Sequence, residues 1–390
     1  MRICHVTPHL PPDQAANALL PYHLGRWARE RGDEPTYIAH PPRAPRSEVA
    51  PRPLDLPGPV TWIAPRERKA GMSRLLKLSG VAAAWRIGRQ AYPVVAAADL
   101  VHLHSSGLLT EVCALVAGRL RKPSVLTLYG TEIWHYDRRR RLPDLFTRAY
   151  RHASAVTFYS QALLDRAVEL GLDRPHLRVV YPPVASEFRQ GDAAGQAAAR
   201  TTLGITERHL LVNVKRLHPL AGQQFLIEAL PKVLREFPDC RLVVCGSGEL
   251  RPALESAANR AGVDRHVTFA GLVDNETVAL YDSAADVFVL PSLLEACPTV
   301  ALEALACGTP VISSDNPGGV ELNTLFGSDV TVVPREDASA LARAIVLALG
   351  SPRRVTPGTR ELIERDFRPG AVDASYRGVY ARALDRTGFA

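Results

Sequence analysis

The stretch VFVLPSLLEACPTVALEALACGTPVI fills residues 287–312 and contains, in order, a strand, a loop, a short helix and a second strand. The apolar run 287–290 predicts a buried strand, and a second apolar run begins at Val311. Between them, Pro298 suits the first position of a helix and Gly308 suits its C-terminal end. Two buried strands joined by a helix pair in parallel through a right-handed crossover. The stretch therefore predicts an α/β fold.

Units of this kind recur along the chain. In the first half, strands are expected at residues 2–6, 100–104, 124–128, 155–159 and 177–181. In the second half, they are expected at residues 210–214, 241–245, 266–269, 287–290, 311–313 and 330–333. Helical stretches separate most of them, and the polar, Ala/Gly-rich residues 186–202 predict a linker between the halves. The alternation predicts two doubly wound domains, each built on a parallel sheet.

Composition excludes several classes of protein. The 390 residues are 46% hydrophobic and 22% charged, as in a soluble globular protein of about two domains. No run of about 18 apolar residues is present, and residues 1–6 turn polar too soon for a signal peptide. The six cysteines are scattered without a C-x-x-C pair, which argues against a disulfide framework and a structural zinc site. We therefore expect a cytoplasmic protein.

The net charge of +7 is unevenly distributed. Residues 1–190 carry 27 Lys and Arg against 16 Asp and Glu, a net +11, whereas residues 191–390 carry a net −4. Basic residues concentrate at 66–78, mixed with apolar ones, and at 138–141, which are four arginines. The two interpretations are peripheral contact with an anionic membrane and a solvated arginine-rich face. No nucleic-acid-binding module accompanies the charge, so no nucleic-acid partner is expected.

Two carboxylates stand out in the opening stretch. Glu295 is expected in the loop after a strand, and Glu303 just inside the following helix, at the sheet edge where such folds bind ligands. The free N–H groups of that helix could hold an anion or sugar hydroxyls, and a carboxylate there could accept two hydrogen bonds from a ribose diol. The alternative is that Glu303 is a solvated first-turn residue that complements the helix dipole.

A glycine-rich turn follows the strand at 241–245. Gly246 and Gly248 flank Ser247, and glycines there permit close approach of the backbone to a ligand. The alternative is that they serve only to turn the chain.

These features together resemble the E-x7-E signature of retaining GT-B glycosyltransferases of family four. Matching residues stand in the family's order: Arg216-Leu217, Gly246-Ser247-Gly248, Phe269-Ala270-Gly271, Tyr281, Ala285-Asp286, Glu295, Glu303 and Gly318-Gly319-Val320-Glu321. The resemblance implies two facing Rossmann-like domains and a C-terminal helix, here read at residues 371–384, that crosses back to the first domain. The implied domains are 1–190 with 370–390, which would bind the acceptor, and 191–369, which would bind the donor.

The resemblance also implies roles in binding a UDP-, GDP- or ADP-hexose. Glu303 would bind the ribose hydroxyls, Glu295 the donor sugar near its C3 hydroxyl, and Arg216 the diphosphate. The Gly271 neighbourhood would lie near the base. Backbone N–H groups around Cys297, Pro298, Thr299 and Val300 would meet the sugar and diphosphate. No metal and no cofactor is expected, because the nucleotide-sugar is a co-substrate and cationic groups neutralise its leaving diphosphate.

The chain departs from the family pattern at three places. Ala221 stands where the family has a lysine, and Lys215 stands where it more often has glycine, so Lys215 could supply the missing charge. Ala15 and Ala16 occupy the place of a Gly-Gly pair in the first loop. Tyr129 replaces a histidine, and a tyrosine can hydrogen-bond a sugar hydroxyl but cannot act as a base near neutral pH.

The expected reaction is retaining hexosyl transfer with front-face attack. Arg216 and Lys215 would stabilise the leaving diphosphate, and Glu295 would orient the donor sugar. The residues expected on the acceptor side are Ala15, Ala16, His104, Tyr129, Thr131 and Glu132. His102 and His104 alternate along one strand, so either could instead be a core histidine.

The acceptor stays open between a polysaccharide or lipid-linked saccharide precursor and a small molecule, and so does the oligomeric state. One alternative function is a degenerate glycosyltransferase fold that serves as a binding or assembly subunit without activity. A sugar-nucleotide epimerase of similar fold usually shows a different His/Asp/Glu set. A periplasmic sugar-binding protein has two similar lobes but needs export.

Overall fold

The computed structural model describes residues 1–13, 15–42, 55–65, 78–136, 144–191 and 193–385, of which residues 78, 79, 131 and 193 are described by their backbone alone. Two compact units make up the chain. The first unit comprises Met1–Val180 and Asp373–Ala390, and the second comprises Tyr181–Val372. The basic stretches at 66–77 and 138–141 lie outside the described residues. No helix in the described part of the chain combines the length and apolar content needed to cross a bilayer.

The first unit is built on a seven-stranded sheet in the order β3-β2-β1-β4-β5-β6-β7, with every neighbouring pair parallel. Its strands are β1 (Arg2–Thr7), β2 (Glu34–Ala39), β3 (Val60–Trp62), β4 (Leu100–His104), β5 (Ser124–Leu128), β6 (Ala155–Phe158) and β7 (Leu177–Val179). Its helices are α1 (Ala16–Glu30), α2 (Leu78–Ala97), α3 (Leu108–Arg119), α4 (Thr131–Trp134), α5 (Leu145–His152) and α6 (Gln161–Glu169). Local signals set several ends: the Ser160 side chain caps α6, and Gly32, with φ of 84°, follows α1.

The second unit contains a six-stranded parallel sheet in the order β10-β9-β8-β11-β12-β13. Its strands are β8 (His209–Val214), β9 (Cys240–Cys245), β10 (Val267–Gly271), β11 (Val287–Leu290), β12 (Val311–Ser314) and β13 (Val330–Val333). Its helices are α7 (Ala193–Leu203), α8 (Gln223–Glu236), α9 (Arg251–Arg260), α10 (Asn275–Ala284), α11 (Thr299–Ala306), α12 (Pro317–Phe326), α13 (Ala338–Gly350) and α14 (Pro357–Leu362).

Helices cover both faces of this second sheet. Along β11, Phe288 packs into one apolar cluster and Val289 into the other, as the period-two alternation of a strand requires. Buried side chains on both faces explain why these strands read as continuous apolar runs. The predicted α/β class with two doubly wound parallel sheets is confirmed.

The C-terminal helix α15 (Pro369–Asp385) begins in the second unit, and its residues from Asp373 onward belong to the first. There, the Tyr380 hydroxyl lies 2.7 Å from Nδ1 of His102 on β4, and the side chains of Tyr376 and Tyr380 are buried. Two aromatic rings one helical turn apart therefore attach this helix to the first sheet.

Some local predictions were wrong. The expected linker at 186–202 contains α7, whose Arg200 donates to the carbonyl of Ala284 and pairs with Asp286 at 2.8 Å. Strand β2 was not predicted, because Pro35 cannot donate a ladder hydrogen bond and argues against an inner strand. The units divide at 180/181 and 372/373, where the sequence placed the boundaries near 190 and 370.

Candidate functional site

The candidate site of the second unit starts where β8 ends. Lys215 and Arg216 follow that strand directly, and Lys215 N donates to the carbonyl of Cys245 at the end of β9. Arg216 is exposed, and its guanidinium has no partner among the residues that the structure describes. Two adjacent cations at the carboxyl edge of a parallel sheet form a site suited to an anion.

Gly246 and Gly248 are needed by the backbone of this segment. A Cβ at position 246, where φ is 136°, would lie 2.1 Å from the carbonyl oxygen of Lys215, and one at 248 would lie 2.2 Å from that of Leu217. The two glycines therefore let the turn after β9 pack against residues 215–217. Their close approach in the structure is to protein, and an approach to a ligand stays a prediction.

The Nζ atom of Lys215 lies 2.6 Å from Oε1 of Glu295 in the loop between β11 and α11. The Lys215 side chain is 30% exposed and that of Glu295 is 11% exposed, so water only partly screens the pair. The structure thus brings together two of the predicted residues, one from each of two neighbouring strand ends.

Two further contacts fix the loop that carries Glu295. Gly318 N at the start of α12 donates to the Glu295 carbonyl at 3.0 Å, and a Cβ at 318 would lie 2.9 Å from Cβ of Glu295. Asn316 accepts from Gly319 N and donates to the Ser292 carbonyl at 2.8 Å. The sequence prediction missed Asn316, although an Asn before Pro-Gly-Gly is a recognisable helix cap.

Helix α11 begins one residue later than predicted. Pro298 is its N-cap, with ψ of 101°, and Thr299 and Val300 are its first residues. The first N–H groups of a helix have no carbonyl one turn earlier, so those of Thr299 and Val300 can bind a ligand. Cys297 lies just before this end, and burial raises the pKa of its thiol, which stays protonated.

Glu303 is the fifth residue of α11, beyond the first turn, so it does not fit the interpretation as a first-turn residue. Burial raises the pKa of its carboxyl to about 7, and the nearby Glu187 contributes to the rise. Its carboxylate has no hydrogen-bond partner within the described ranges. A half-buried acid without a partner is disfavoured in the ionised form and is typical of a site that receives a ligand's donors.

The backbone conformation explains the glycine at position 271, and burial explains the alanine at position 221. Gly271 ends β10 with φ of 74°, and a Cβ added there would have no atom within 4 Å, so its conformation rather than lack of space requires glycine. Ala221 is buried, with 3% exposure, in a short 3₁₀ turn before α8. The position at which the family has a lysine is therefore filled here by a small side chain that packs in the protein interior.

In the first unit, three of the acceptor-side candidates, Tyr129, Thr131 and Glu132, follow the end of β5. Oε2 of Glu132 accepts from the backbone N–H of Tyr129 at 3.3 Å and of Gly130 at 2.8 Å. Tyr129 packs edge-on against Tyr159 with ring centroids 4.7 Å apart. Glu132 thus orients the turn that carries Tyr129, and Thr131 is the first residue of α4.

The other acceptor-side candidates differ in placement. Ala15 is the N-cap of α1 without a side-chain hydrogen bond, and Ala16 is the first residue of that helix. Neither alanine side chain can donate or accept a hydrogen bond, so only the backbone of these two positions can do so. His104 is fully buried, so it meets no ligand directly in this arrangement.

Three buried histidines lie together on β1 and β4. Ring nitrogens of His5, His102 and His104 fall within 4.8 Å of one another, the spacing of a possible metal centre. However, His102 is bonded through Nδ1 to Tyr380 and through Nε2 to Thr127, both at 2.7 Å. Both nitrogens of His104 and one of His5 are also bonded, so the trio does not fit a metal. His102 is a core histidine, the alternative that the sequence left open.

An apolar stripe lies on the exposed side of α2. Val81, Trp85 and Tyr92 are 68%, 67% and 54% exposed, and their spacing of four and seven residues places them on one helix face. The guanidinium of Arg89 lies 5.4 Å from the Trp85 ring. Trp62 on the edge strand β3 is 42% exposed. We call Val81, Trp85, Arg89 and Tyr92 the α2 stripe.

Comparisons with known proteins agree with this architecture. The family model described as "Glycosyl transferases group 1" matches residues 196–362, and "Glycosyltransferase Family 4" matches residues 21–188. A solved structure, Anabaena HepE in complex with UDP and glucose, superposes with a TM-score of 0.73 at 18% identity and covers 98% of this chain and 99% of that one.

Two curated relatives extend the likeness. The putative teichuronic acid biosynthesis glycosyltransferase TuaC of Bacillus subtilis is 32% identical over 331 residues, 84% of this chain and 74% of the relative. A GDP-mannose-dependent α-(1-6)-phosphatidylinositol monomannoside mannosyltransferase of Mycolicibacterium smegmatis is 32% identical over 209 residues, 52% of this chain. This match spans about half the length of that relative, 54%. With two α/β units, each built on a parallel sheet, and with these matches, the chain belongs to the group 1 glycosyltransferases, which have the GT-B fold.

Proposed function

We propose that the protein is a retaining glycosyltransferase that moves a hexosyl group from a nucleotide-sugar to a hydroxyl-bearing acceptor. The observation that carries the proposal is the Lys215–Glu295 pair at 2.6 Å, together with the next residue in the sequence, Arg216, whose guanidinium has no partner in the described part of the chain. Two cations and a carboxylate at one strand edge match a leaving diphosphate and the sugar attached to it.

The donor binds to the second unit in this proposal. Glu303 accepts hydrogen bonds from the ribose hydroxyls, and its carboxylate has no competing partner among the described residues. The N–H groups of Thr299 and Val300 meet the diphosphate and sugar. Support comes from HepE, which was solved with UDP and glucose, and from the mycobacterial relative, which depends on GDP-mannose.

The reaction is a front-face substitution at the anomeric carbon. The acceptor oxygen forms the new C–O bond on the face from which the diphosphate departs, and the bond to the phosphate oxygen breaks. The acceptor's proton passes to that phosphate oxygen, so no protein base is required. Arg216 and Lys215 stabilise the charge on the departing diphosphate, and no metal or cofactor is needed in this scheme.

The proposed acceptor is lipid-linked, and the α2 stripe binds the surface of the membrane that contains it. Exposed tryptophan and tyrosine rings suit the interface of a bilayer, and the neighbouring arginines suit anionic lipid headgroups. The excess of basic residues in positions 1–190 favours the same partner. The mycobacterial relative, which is named for a phosphatidylinositol monomannoside, supports a lipid-linked acceptor.

A nucleotide screen followed by a turnover assay tests this function. Thermal shifts are measured with UDP, GDP, ADP and dTDP, and the best base is then supplied as its nucleotide-sugar with phosphatidylinositol vesicles and myo-inositol 1-phosphate as acceptor probes. We expect a stabilising shift, transfer or slow donor hydrolysis, and retention of the anomeric configuration by NMR. A shift without turnover under all conditions would favour a binding subunit, and no shift with any nucleotide would contradict the proposal.

A further inference from the structure

The hydroxyl of Tyr129 forms the outer end of a chain of three hydrogen-bonded side chains. Its oxygen lies 2.7 Å from Nδ1 of His104, and Nε2 of His104 lies 3.1 Å from Nδ1 of His5. Both histidines are fully buried, whereas Tyr129 is partly exposed at the carboxyl edge of the first sheet. The proton positions inside the chain therefore decide what Tyr129 offers to a ligand.

Burial keeps both imidazoles neutral. It lowers the pKa of His5 to about 3, and it lowers that of His104 as well, with His102 and His5 adding to the effect. A neutral imidazole has one N–H group and one lone pair. If His104 donates through Nδ1, it must accept through Nε2, so the two hydrogen bonds of the chain point in the same direction.

Only two directions are therefore available. In the inward direction Tyr129 donates to His104, His104 donates to His5, and the proton of His5 lies on Nε2. In the outward direction His5 donates to His104, His104 donates to Tyr129, and the Nε2 atom of His5 has a lone pair.

The Nε2 atom of His5 distinguishes the two directions. It is buried and has no hydrogen-bond partner among the residues that the structure describes. Tyr37 stacks on the same ring with centroids 5.4 Å apart, and its own hydroxyl donates to the carbonyl of Pro21. Buried N–H groups without an acceptor are rarer in proteins than buried acceptors without a donor. The outward direction avoids the orphaned N–H group.

We propose that the hydrogen bonds of Tyr129, His104 and His5 point outward, from His5 toward Tyr129. Tyr129 is then a hydrogen-bond donor to an oxygen of the ligand bound at this edge of the first sheet. His104 and His5 are positioning residues that act through Tyr129. The identification of that ligand as the acceptor substrate rests on the proposed function. Because the lone pair of His104 faces His5, the histidines do not take the acceptor's proton.

The direction can be measured without any ligand. Nitrogen-15 NMR of the full chain labelled at histidine distinguishes the Nδ1–H from the Nε2–H tautomer, and contacts to Tyr37 and Tyr129 assign the rings. We expect Nδ1–H at both His5 and His104. Nε2–H at both would overturn the outward direction, even if no nucleotide-sugar supports turnover.

A matched pair of variants tests the consequence for the ligand. In His104→Asn the amide nitrogen lies near the original Nδ1 and can still donate to Tyr129, whereas in His104→Gln it lies near Nε2 and cannot. With phosphatidylinositol vesicles or myo-inositol 1-phosphate as acceptor, we expect Tyr129→Phe and His104→Gln to raise the acceptor KM about tenfold, the loss of one hydrogen bond. His104→Asn should stay within about threefold of the wild type.

Nucleotide binding to the second unit is the internal control. Thermal shifts with UDP and GDP should be the same in all variants, which shows that the chain still folds and binds the nucleotide. An active wild-type enzyme whose acceptor KM is unchanged by Tyr129→Phe would refute the donor role of Tyr129. An inactive wild type would count against the proposed function instead, and the tautomers would still decide the direction.

Discussion

Lys215 and Glu295 form a 2.6 Å ion pair that connects the end of β8 to the loop before α11. The lysine stands one residue before Arg216, and the carboxylate lies in the loop that leads to the free N–H groups of α11. The pair joins a group suited to phosphate with a group suited to sugar hydroxyls.

Replacement of Lys215 tests this placement. We expect Lys215→Ala to lower kcat/KM for the nucleotide-sugar about 100-fold, because it removes a cation from the diphosphate and leaves Glu295 without its partner. Steady-state kinetics with the best donor measures the loss. Lys232→Ala is the matched control, because Lys232 is exposed on α8 and bonds only Ser339 in the described structure.

A double variant separates the two roles of Lys215. If the lysine only neutralises the carboxylate, Lys215→Ala with Glu295→Gln should recover nucleotide affinity. If it also binds the diphosphate, the affinity should stay low in the double variant, which is the result we expect. Unchanged donor affinity in Lys215→Ala would contradict both roles.

Nucleotide binding should depend on pH through Glu303. The pKa of about 7 means that the carboxyl is protonated in slightly acidic solution, and only the ionised form can accept two hydrogen bonds from a ribose. We expect the Kd of a nucleotide-sugar to rise about tenfold per pH unit below 7 and to level off above pH 8. Calorimetry from pH 5.5 to 8.5 measures this Kd. If the Kd of Glu303→Gln depends on pH in the same way, a group other than Glu303 causes the dependence.

The same carboxyl should lower stability at alkaline pH. Its folded pKa of about 7 lies above the ordinary value of 4.5, so the folded state loses stability as pH rises from 4.5 through 7. Glu303→Gln should therefore raise the free energy of unfolding at pH 8 by on the order of 1–3 kcal/mol and change it little at pH 4.5. Denaturant melts at both pH values test the sign, and a variant that is less stable at pH 8 would show that the charge is compensated.

Gly246 should not tolerate a side chain. Gly246→Ala places a Cβ 2.1 Å from the Lys215 carbonyl oxygen, so the segment after β8 must shift. We expect a loss of stability above about 2 kcal/mol and a loss of nucleotide binding. Gly262→Ala is the control, because Gly262 has φ of 67° but no atom within 4 Å of its Cβ position, and it should cost only about 1 kcal/mol. Equal effects of the two would remove the steric explanation.

The α2 stripe should bind anionic lipid. Trp85→Ser combined with Tyr92→Ser should reduce flotation with vesicles that contain phosphatidylglycerol, and neither protein should float with phosphatidylcholine alone. Leu347→Ser is the control, since Leu347 is 74% exposed in the second unit. Added salt should weaken the binding. Equal flotation of the wild type and the double variant would show that the stripe is a solvated surface that does not bind lipid.

Much of the fold could be predicted because its signals are local. Apolar runs such as 287–290 predicted the bounds of their strands within a residue or two, because a strand that is buried on both faces appears in the sequence as a continuous apolar run. Strand β2 was not predicted because Pro35 interrupts its apolar pattern. Helix α7 was not predicted because a short Ala-rich segment is equally typical of a linker. Both became regular elements through packing that the local sequence does not show.

The sequence by itself determined the two α/β units and the loop–helix segment that carries Glu295 and Glu303, because the periods of strands and helices and the E-x7-E spacing are properties of contiguous residues. Only the tertiary structure decided that Lys215 pairs with Glu295 and that His5 and His104 stand behind Tyr129. These contacts join residues 80, 99 and 25 positions apart. They depend on which strands become neighbours in a sheet, and strand order is set by the packing of the whole unit rather than by any one segment.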